Sequence, residues 1–416
     1  MILPPPAKAR PHTLSVEETW ACILSHCPVR PETEVQLSDA AGYVLAEAVR
    51  ADRDQPPADR SAMDGFAVRA ADLVALPARL TVVAEVAAGS ASAPTISAGT
   101  CARIFTGANV PAGADTVVMV EDTRDSGDDT VEIVEAVRPH ANIFKRGENA
   151  KQGDALVAPG CLLTSMPISV CATAGRTHLR IRPKPRVAIV TTGQELREPG
   201  SATAAYEERD SNSPMLRTAL QAAGFAISAS HRVSDDLSAI ESILGACLAE
   251  ADAVVFSGGA SVGKYDFVPT AVRNLGADVL VHGVAMKPGK PFLFAVTPSG
   301  GCIFGLPGNP LSAATGLHEF VLPALRAMAG YSPQDCRPLV HARLSSPIRS
   351  KPGRRQFVLA ALLWTTNGPE VAPVETHSSA DVAAGAKADG VVVVPEDARG
   401  LEAGTMVAFR PWRALP

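Results

Sequence analysis

The chain reads as a multidomain protein of mixed α/β and β class, built around a central three-layer α/β domain with a mostly parallel sheet. Between Arg186 and Ala329 short apolar runs alternate with stretches of helical period, the pattern of a parallel sheet covered on both faces. On either side of that block the texture changes to short strands punctuated by Pro, Gly and Asp. Length agrees: 416 residues exceed one ordinary domain and suggest three or four. The expected parts are a discontinuous, elongated N-terminal domain (1–50 with 145–183), a β-rich inserted domain (51–144), the α/β domain (184–332) and a small barrel-like C-terminal β-domain (333–416).

In chain order, Ser15 with Glu18 matches a capping box and opens a helix to about His26. A second helical pattern, interrupted by Gly42, extends from Leu37 to Ala48. The insertion carries β-type runs from Leu80 to Val86, Arg103 to Thr106, Thr116 to Val120 and Val131 to Val134; helical spacing returns from Pro167 to Ala174. In the α/β block a strand from Arg186 to Thr191 leads to a helix starting at Asn212, with Leu216, Ala219, Leu220 and Ala223 on one face and Gly224 as its stop. A strand from Phe225, a helix from Leu237 to Ala249, a strand from Ala253, strands near Val279, Phe292 and Cys302, and a long helix from Pro310 to Ala329 complete it. Beyond Gly330 strands are expected from Val340, Phe357, Val391 and Met406, with one short helix near Ser379 to Ala388.

Hydrophobic residues make up 46% but aromatics only 5%, so the cores should be built from Val, Ala, Leu and Ile. A net charge of −5 without blocks of like charge argues against a nucleic-acid or membrane-surface partner. The eight cysteines show no C-x-x-C pair and read as small core hydrophobes of a reducing compartment. With no apolar leader-like run and no stretch able to span a bilayer, the expected location is the cytoplasm.

The densest chemical signal runs from Ala253 to Asp266. A buried strand enters a turn whose glycines (Gly258, Gly259, Gly263) free the backbone to present N–H groups to an oxyanion; Ser257 and Ser261 add hydroxyls, and Asp266 stands at the next helix start. Further polar constellations are Asp59 to Val68, with Asp59 and Asp64 in a turn; Ile104 to Pro111, containing Thr106; Thr191 to Leu196, ending on Glu195; Lys287-Pro288-Gly289-Lys290-Pro291; and Gly305 to Ser312. In the last, Asn309 is the expected helix cap and Pro310 the first helical residue. Each has a bland alternative: turn-forming Asp, helix-capping Glu, solvated Lys, Pro as stop and start.

In this order and on this domain pattern the constellations resemble the family of molybdopterin molybdenumtransferases, the MoeA and gephyrin E-domain type, over nearly the whole chain. The resemblance implies an α/β domain of the molybdopterin-binding type, an elongated homodimer, and a transferase that inserts molybdate into adenylated molybdopterin. A divalent cation, usually Mg2+, assists, and AMP leaves. By resemblance Asp59, Thr106, Glu195 and Asp266 fall in the catalytic cleft. Ser257, Gly258, Gly259, Ser261, Gly263, Pro307, Gly308, Asn309 and Pro310 would bind the pterin substrate. Lys287, Lys290, Ser312, Arg354 and Ser379 would hold molybdate, and Asp59, Asp64, Glu195 and Asp266 are the candidate metal ligands. Transient contact with upstream and downstream molybdenum-cofactor proteins is implied too.

The residue chemistry agrees: cleaving a phosphoanhydride calls for positioned charge, Mg2+ takes one or two carboxylates beside substrate phosphates, and a tetrahedral dianion suits lysines and hydroxyls. Departures from the family pattern are Phe66 where Tyr is usual and Asn149 where Asp is usual. A non-catalytic molybdopterin-binding or scaffold protein of the same fold is the alternative; retention of both lysines and all the carboxylates favours chemistry.

Overall fold

The computed structural model describes residues 13–413 apart from 92, 128 and 260–266. The chain forms two compact units, one comprising its start up to Glu34, Gly42–Ala46 and everything from Arg180, the other Val35–Ala41 and Glu47–Leu179.

The larger unit holds a six-stranded sheet in the order Ile227–Val233, Val187–Thr192, Ala253–Ser257, Cys302–Leu306, Leu293–Val296, Asp278–His282. The first four are parallel; Leu293–Val296 runs against both its neighbours and is the reversed strand. Because successive side chains point to opposite faces, Ile189, Val255 and Phe304 enter one core while Val190, Val254 and Ile303 enter the other. Helices Leu237–Glu250 and Val268–Asn274 cover the second face with Ile240, Leu244 and Val272. Helix Asn212–Ala222 and the helix from Pro310 cover the first with Leu216, Leu220 and Phe320. This is the expected three-layer arrangement.

The helix from Pro310 is α over Pro310–Gly316, widens into a π segment at Leu317–Val321, and returns to α over Leu322–Met328. Pro323 removes a backbone donor immediately beyond the wide segment. Helix Val16–His26 has its capping box, with Glu18 N donating to Ser15 Oγ at 3.1 Å and Ser15 N to Glu18 Oε2 at 2.8 Å. Its Val16, Trp20 and Ile23 enter the same core as Phe320 and Leu325, a long-range placement without a local signal.

The helix expected from Leu37 to Ala48 is absent. A 3-10 turn at Leu37–Asp39 is followed by strands Val44–Leu45 and Val49–Arg50, because Gly42 turns the chain at φ +78° and backbone pairing then takes over.

At the C-terminus Arg355–Thr365, Gly368–Pro373, Val340–Leu344, Met406–Pro411 and Gly390–Val394 pair in sequence and close, the last with the first, into a barrel. The short helix there shrinks to Val382–Gly385, capped by Asp381, which accepts from Ala384 N at 3.1 Å. The strand Met286–Lys287 pairs in parallel with Arg355–Gln356 and so ties the barrel to the lysine loop.

The smaller unit contains a second six-stranded sheet, in the order Thr116–Met119, Gly65–Val68, Thr100–Ile104, Ala78–Val86, Thr130–Ile133, Thr123–Asp125. All eight cysteines are free and six are buried. Among the described residues no helix is long and apolar enough to cross a membrane.

Candidate active site

A cleft of ≈ 510 Å³ in the larger unit gathers Lys287, Lys290, Pro307, Asn309, Ser312, Arg354 and Ser379 from four separate stretches of chain. All five residues that resemblance assigns to molybdate therefore share one cavity. Local packing explains their convergence. Gly289 adopts φ +99°, and a Cβ there would lie 2.8 Å from Met286 Cε and 3.4 Å from Ser312 O. The left-handed backbone there favours glycine, and the small residue lets the Lys287 to Lys290 loop settle against the helix start. At that start Leu311 N donates to Ser379 O at 3.0 Å. Asn309 occupies the cap position but does not cap: its Nδ2 donates to Ser379 Oγ at 2.9 Å and tethers the barrel side of the cleft. Arg354 and Gln356 are alternate residues at the head of the first barrel strand, held there by pairing of Lys287 with Gln356.

Among the described residues the cleft lining contains no Asp or Glu. An adjoining groove of ≈ 680 Å³ shares Lys287, Arg354 and Gln356 with it and adds Arg349, Lys351 and Arg399, again with no carboxylate among the described residues. In a chain of net charge −5 this is a local concentration of unneutralised positive charge, suited to an anion.

A second cluster lies at the carboxyl ends of the parallel strands. Asn212 Nδ2 donates to Ser257 Oγ at 2.8 Å and to Gly308 O at 2.6 Å, and Ser257 Oγ donates to Pro307 O at 3.2 Å. Asp210 accepts from Thr191 Oγ1 and from Ser213 N, both at 3.0 Å. Thr192 Oγ1 donates to Asp235. Gly258 turns at φ +97°, and a Cβ there would lie 2.3 Å from Thr192 O, so the turn after the strand admits only glycine. Ser257, Gly258, Pro307 and Gly308 are thus brought together, with the Ser257 hydroxyl locking the turn internally. The side-chain oxygen of Asn212 is buried without a hydrogen-bond partner among the described residues. Asp235 was not singled out in the sequence; Asp210 and Asn212 sit in an Asp-Ser-Asn helix start, a signal that was present. Ser261, Gly263 and Asp266 lie outside the described residues. Glu195 is exposed at its strand exit, its carboxylate folded over Gly193.

The smaller unit holds Asp59, Asp64 and Thr106. Asp59 accepts from Lys145 Nζ at 2.9 Å and Arg146 N at 2.8 Å. The Arg146 N–H, aided by the Lys145 ammonium and opposed by partial burial, holds its carboxyl below the usual range. Asp64 accepts from Thr106 N and Thr106 Oγ1, both at 2.7 Å, and these two donors lower its pKa as well. Phe66, in place of the family's Tyr, is buried and lies under the Arg103 guanidinium, 5.8 Å from ring centre. Among the described residues no three His, Cys, Asp or Glu side chains gather as a preformed metal cage. Asp59 and Asp64 are ionised but already engaged.

Comparison with known proteins covers nearly all of the chain. Residues 14–175 match the MoeA N-terminal region (domain I and II), 188–327 a probable molybdopterin binding domain, and 341–412 the MoeA C-terminal region (domain IV). A molybdopterin molybdenumtransferase of Staphylococcus epidermidis is 32% identical over 399 residues, 95% of this chain and 94% of its own. One from Staphylococcus aureus is 32% identical over 401 residues. The crystal structure of a molybdopterin biosynthesis MoeA protein from Pyrococcus horikoshii superposes with a TM-score of 0.82 at 28% identity, covering 96% of this chain and 100% of that one. Another MoeA crystal structure from Pyrococcus horikoshii gives 0.79 at 30% identity, covering 97% of this chain and 100% of that one.

Proposed function

The chain belongs to the molybdopterin molybdenumtransferase family, and from that premise we propose that it transfers molybdate to adenylated molybdopterin, releasing AMP and forming the molybdenum cofactor. The observation that carries the reading is the convergence of Lys287, Lys290, Arg354, Ser312 and Ser379 on one cleft that has no carboxylate among its described residues. Two ammonium groups and a guanidinium offset the dianion's charge, and the hydroxyls donate to its oxygens. The pterin's phosphate and adenylate would lie toward the strand ends, beside the turn at Gly258 and the helix start after Gly308. Cleavage then depends on holding the reacting oxygens in place, since phosphoryl chemistry needs positioning and charge more than a covalent nucleophile.

For the metal the reading favours the candidate with fewest protein partners. Asp59 has an ammonium partner and Asp64 spends an oxygen on Thr106, whereas Glu195 is open to solvent. Glu195 is therefore the described residue fitted to hold Mg2+ beside substrate phosphates; the ion would offset charge on the departing AMP. Asp59, with Lys145, is fitted to orient substrate. A homodimer is part of the same reading, and sedimentation at micromolar concentration checks it: a monomer counts against it.

The deciding experiment mixes the purified protein with adenylated molybdopterin and measures AMP. Release only when molybdate and Mg2+ are both present supports transfer. Pterin binding without release would return the chain to the scaffold alternative.

A further inference from the structure

Behind the cleft a line of side chains alternates in sign: Glu396, Arg355, Glu17, Arg337, Glu319, Arg410. Arg355 donates to Glu396 from Nε at 3.1 Å and also contacts Glu17. Glu17 meets Arg337 at 3.2 Å, and Arg337 and Arg410 grip Glu319 at 3.1 and 2.6 Å. Glu319 is completely buried, and Arg337 lies over the Trp20 ring at 5.4 Å. Desolvation consumes much of the attraction in such a buried network, so it adds little to stability; what it fixes is the relative place of the elements that carry it.

Those elements are the two sides of the cleft. Glu319 lies in the π segment of the helix whose first turn brings Ser312 into the cavity. Arg355 lies between Arg354 and Gln356, which both line the cavity, while its own guanidinium is drawn to Glu17 and Glu396. Its backbone N–H donates to Ala285 O at 3.1 Å, next to the Met286–Lys287 strand. Glu17, on the first helix, touches both Arg355 and Arg337 and is the link between the Ser312 helix and the Arg354 strand.

We propose that Glu17 is a positioning residue for the oxyanion cleft. Through Arg355 it sets Arg354 and Gln356 relative to Lys287, Lys290 and Ser312. The proposal rests on reading the cleft as the molybdate site. Glu17 is also the link that can be altered without burying an orphan charge. Its side chain is 57% exposed against 9% for Arg337 and 0% for Glu319. Without it, Arg355 keeps Glu396 and Arg337 keeps Glu319. The first helix itself is held by its capping box and by Val16, Trp20 and Ile23.

The test is Glu17→Gln, with Glu396→Gln as a second variant acting on Arg355 from the barrel side. Molybdate binding is measured by calorimetry without pterin, cofactor formation by steady-state kinetics, and folding by thermal melting. The expected result in both variants is a molybdate Kd and KM raised about fivefold, as for the loss of one coupled contact. The kcat and the KM for adenylated pterin should stay within about twofold, with the melting temperature nearly unchanged. Unaltered molybdate affinity in both variants overturns the proposal, as does a parallel fall of kcat and melting temperature. A wild-type protein that binds no molybdate overturns the cleft reading itself, and that failure is seen before any variant is made.

Discussion

The cleft of the larger unit and the Asp59 to Thr106 turn of the smaller one are both charged, but they are built in opposite ways. In the cleft, Lys287, Lys290 and Arg354 stand on a lining that holds no carboxylate among the described residues. In the turn, each carboxylate has donors within 2.9 Å: Lys145 and Arg146 for Asp59, Thr106 for Asp64. Crowded cations without counter-ions are unfavourable unless an anion joins them, so the first arrangement is made to receive charge. The second is satisfied in advance and keeps its charge in place. The same contrast separates Arg354 from its neighbour Arg355, which has two carboxylates of its own.

The sharpest break of this comparison is Lys290→Ala. Losing one charged donor from the anion should weaken molybdate binding by roughly 10- to 100-fold, the worth of a hydrogen bond to a charged group, while leaving affinity for adenylated pterin unchanged. Unaltered molybdate dependence at saturating pterin would move the oxyanion site to the glycine turn at the strand ends. Next comes Asp59→Asn, which keeps the shape and removes the charge facing Lys145. Cofactor formation should drop by about tenfold with little change in melting temperature, because half-exposed ion pairs contribute little to folding. Parallel losses in both measurements would make Asp59 a structural residue.

Ionic strength sharpens the comparison further. Raising salt from about 0.05 to about 0.5 M shortens the screening length severalfold and should weaken molybdate binding at the exposed lysines by a few-fold. A salt-independent Kd would contradict a cleft held by unpaired charge. The smallest effect is on stability against pH. The folded pKa of Asp59 lies below its unfolded value of about 3.9, so its contribution is present above that value and lost as pH falls through the folded one. After solvent screening it is on the order of a few tenths of a kcal/mol. The stabilities of wild type and Asp59→Asn should therefore converge as pH falls through the folded pKa of Asp59; a gap that widens on acidification would reverse the assignment.

Much of this molecule was legible in the order of its residues because the signals are local. Strand, glycine turn and helix start follow one another within a dozen residues, and apolar period separates a doubly covered sheet from the barrel strands. The capping box at Ser15 and the Lys287 to Lys290 loop needed no tertiary information to be seen. Local spacing failed between Leu37 and Ala48. There a helical pattern was overridden by Gly42 and by pairing of Val44 and Leu45 with Arg182 and Ile181, partners far along the chain.

What the residues determined alone was the kind of chemistry on offer: glycines where backbone must approach backbone, lysines without neighbouring acids, carboxylates in turns. Only the tertiary structure decided which of these meet. Closure of the barrel brings Arg354 and Ser379 to the lysine loop, and Asn309 reveals itself as a tether instead of a cap. Packing of the first helix carries Glu17 to Arg355, a separation of 338 residues in sequence. Contacts of that range carry no periodicity and no motif, since they arise from the burial of apolar faces that can be satisfied by many partners; the fold alone selects one.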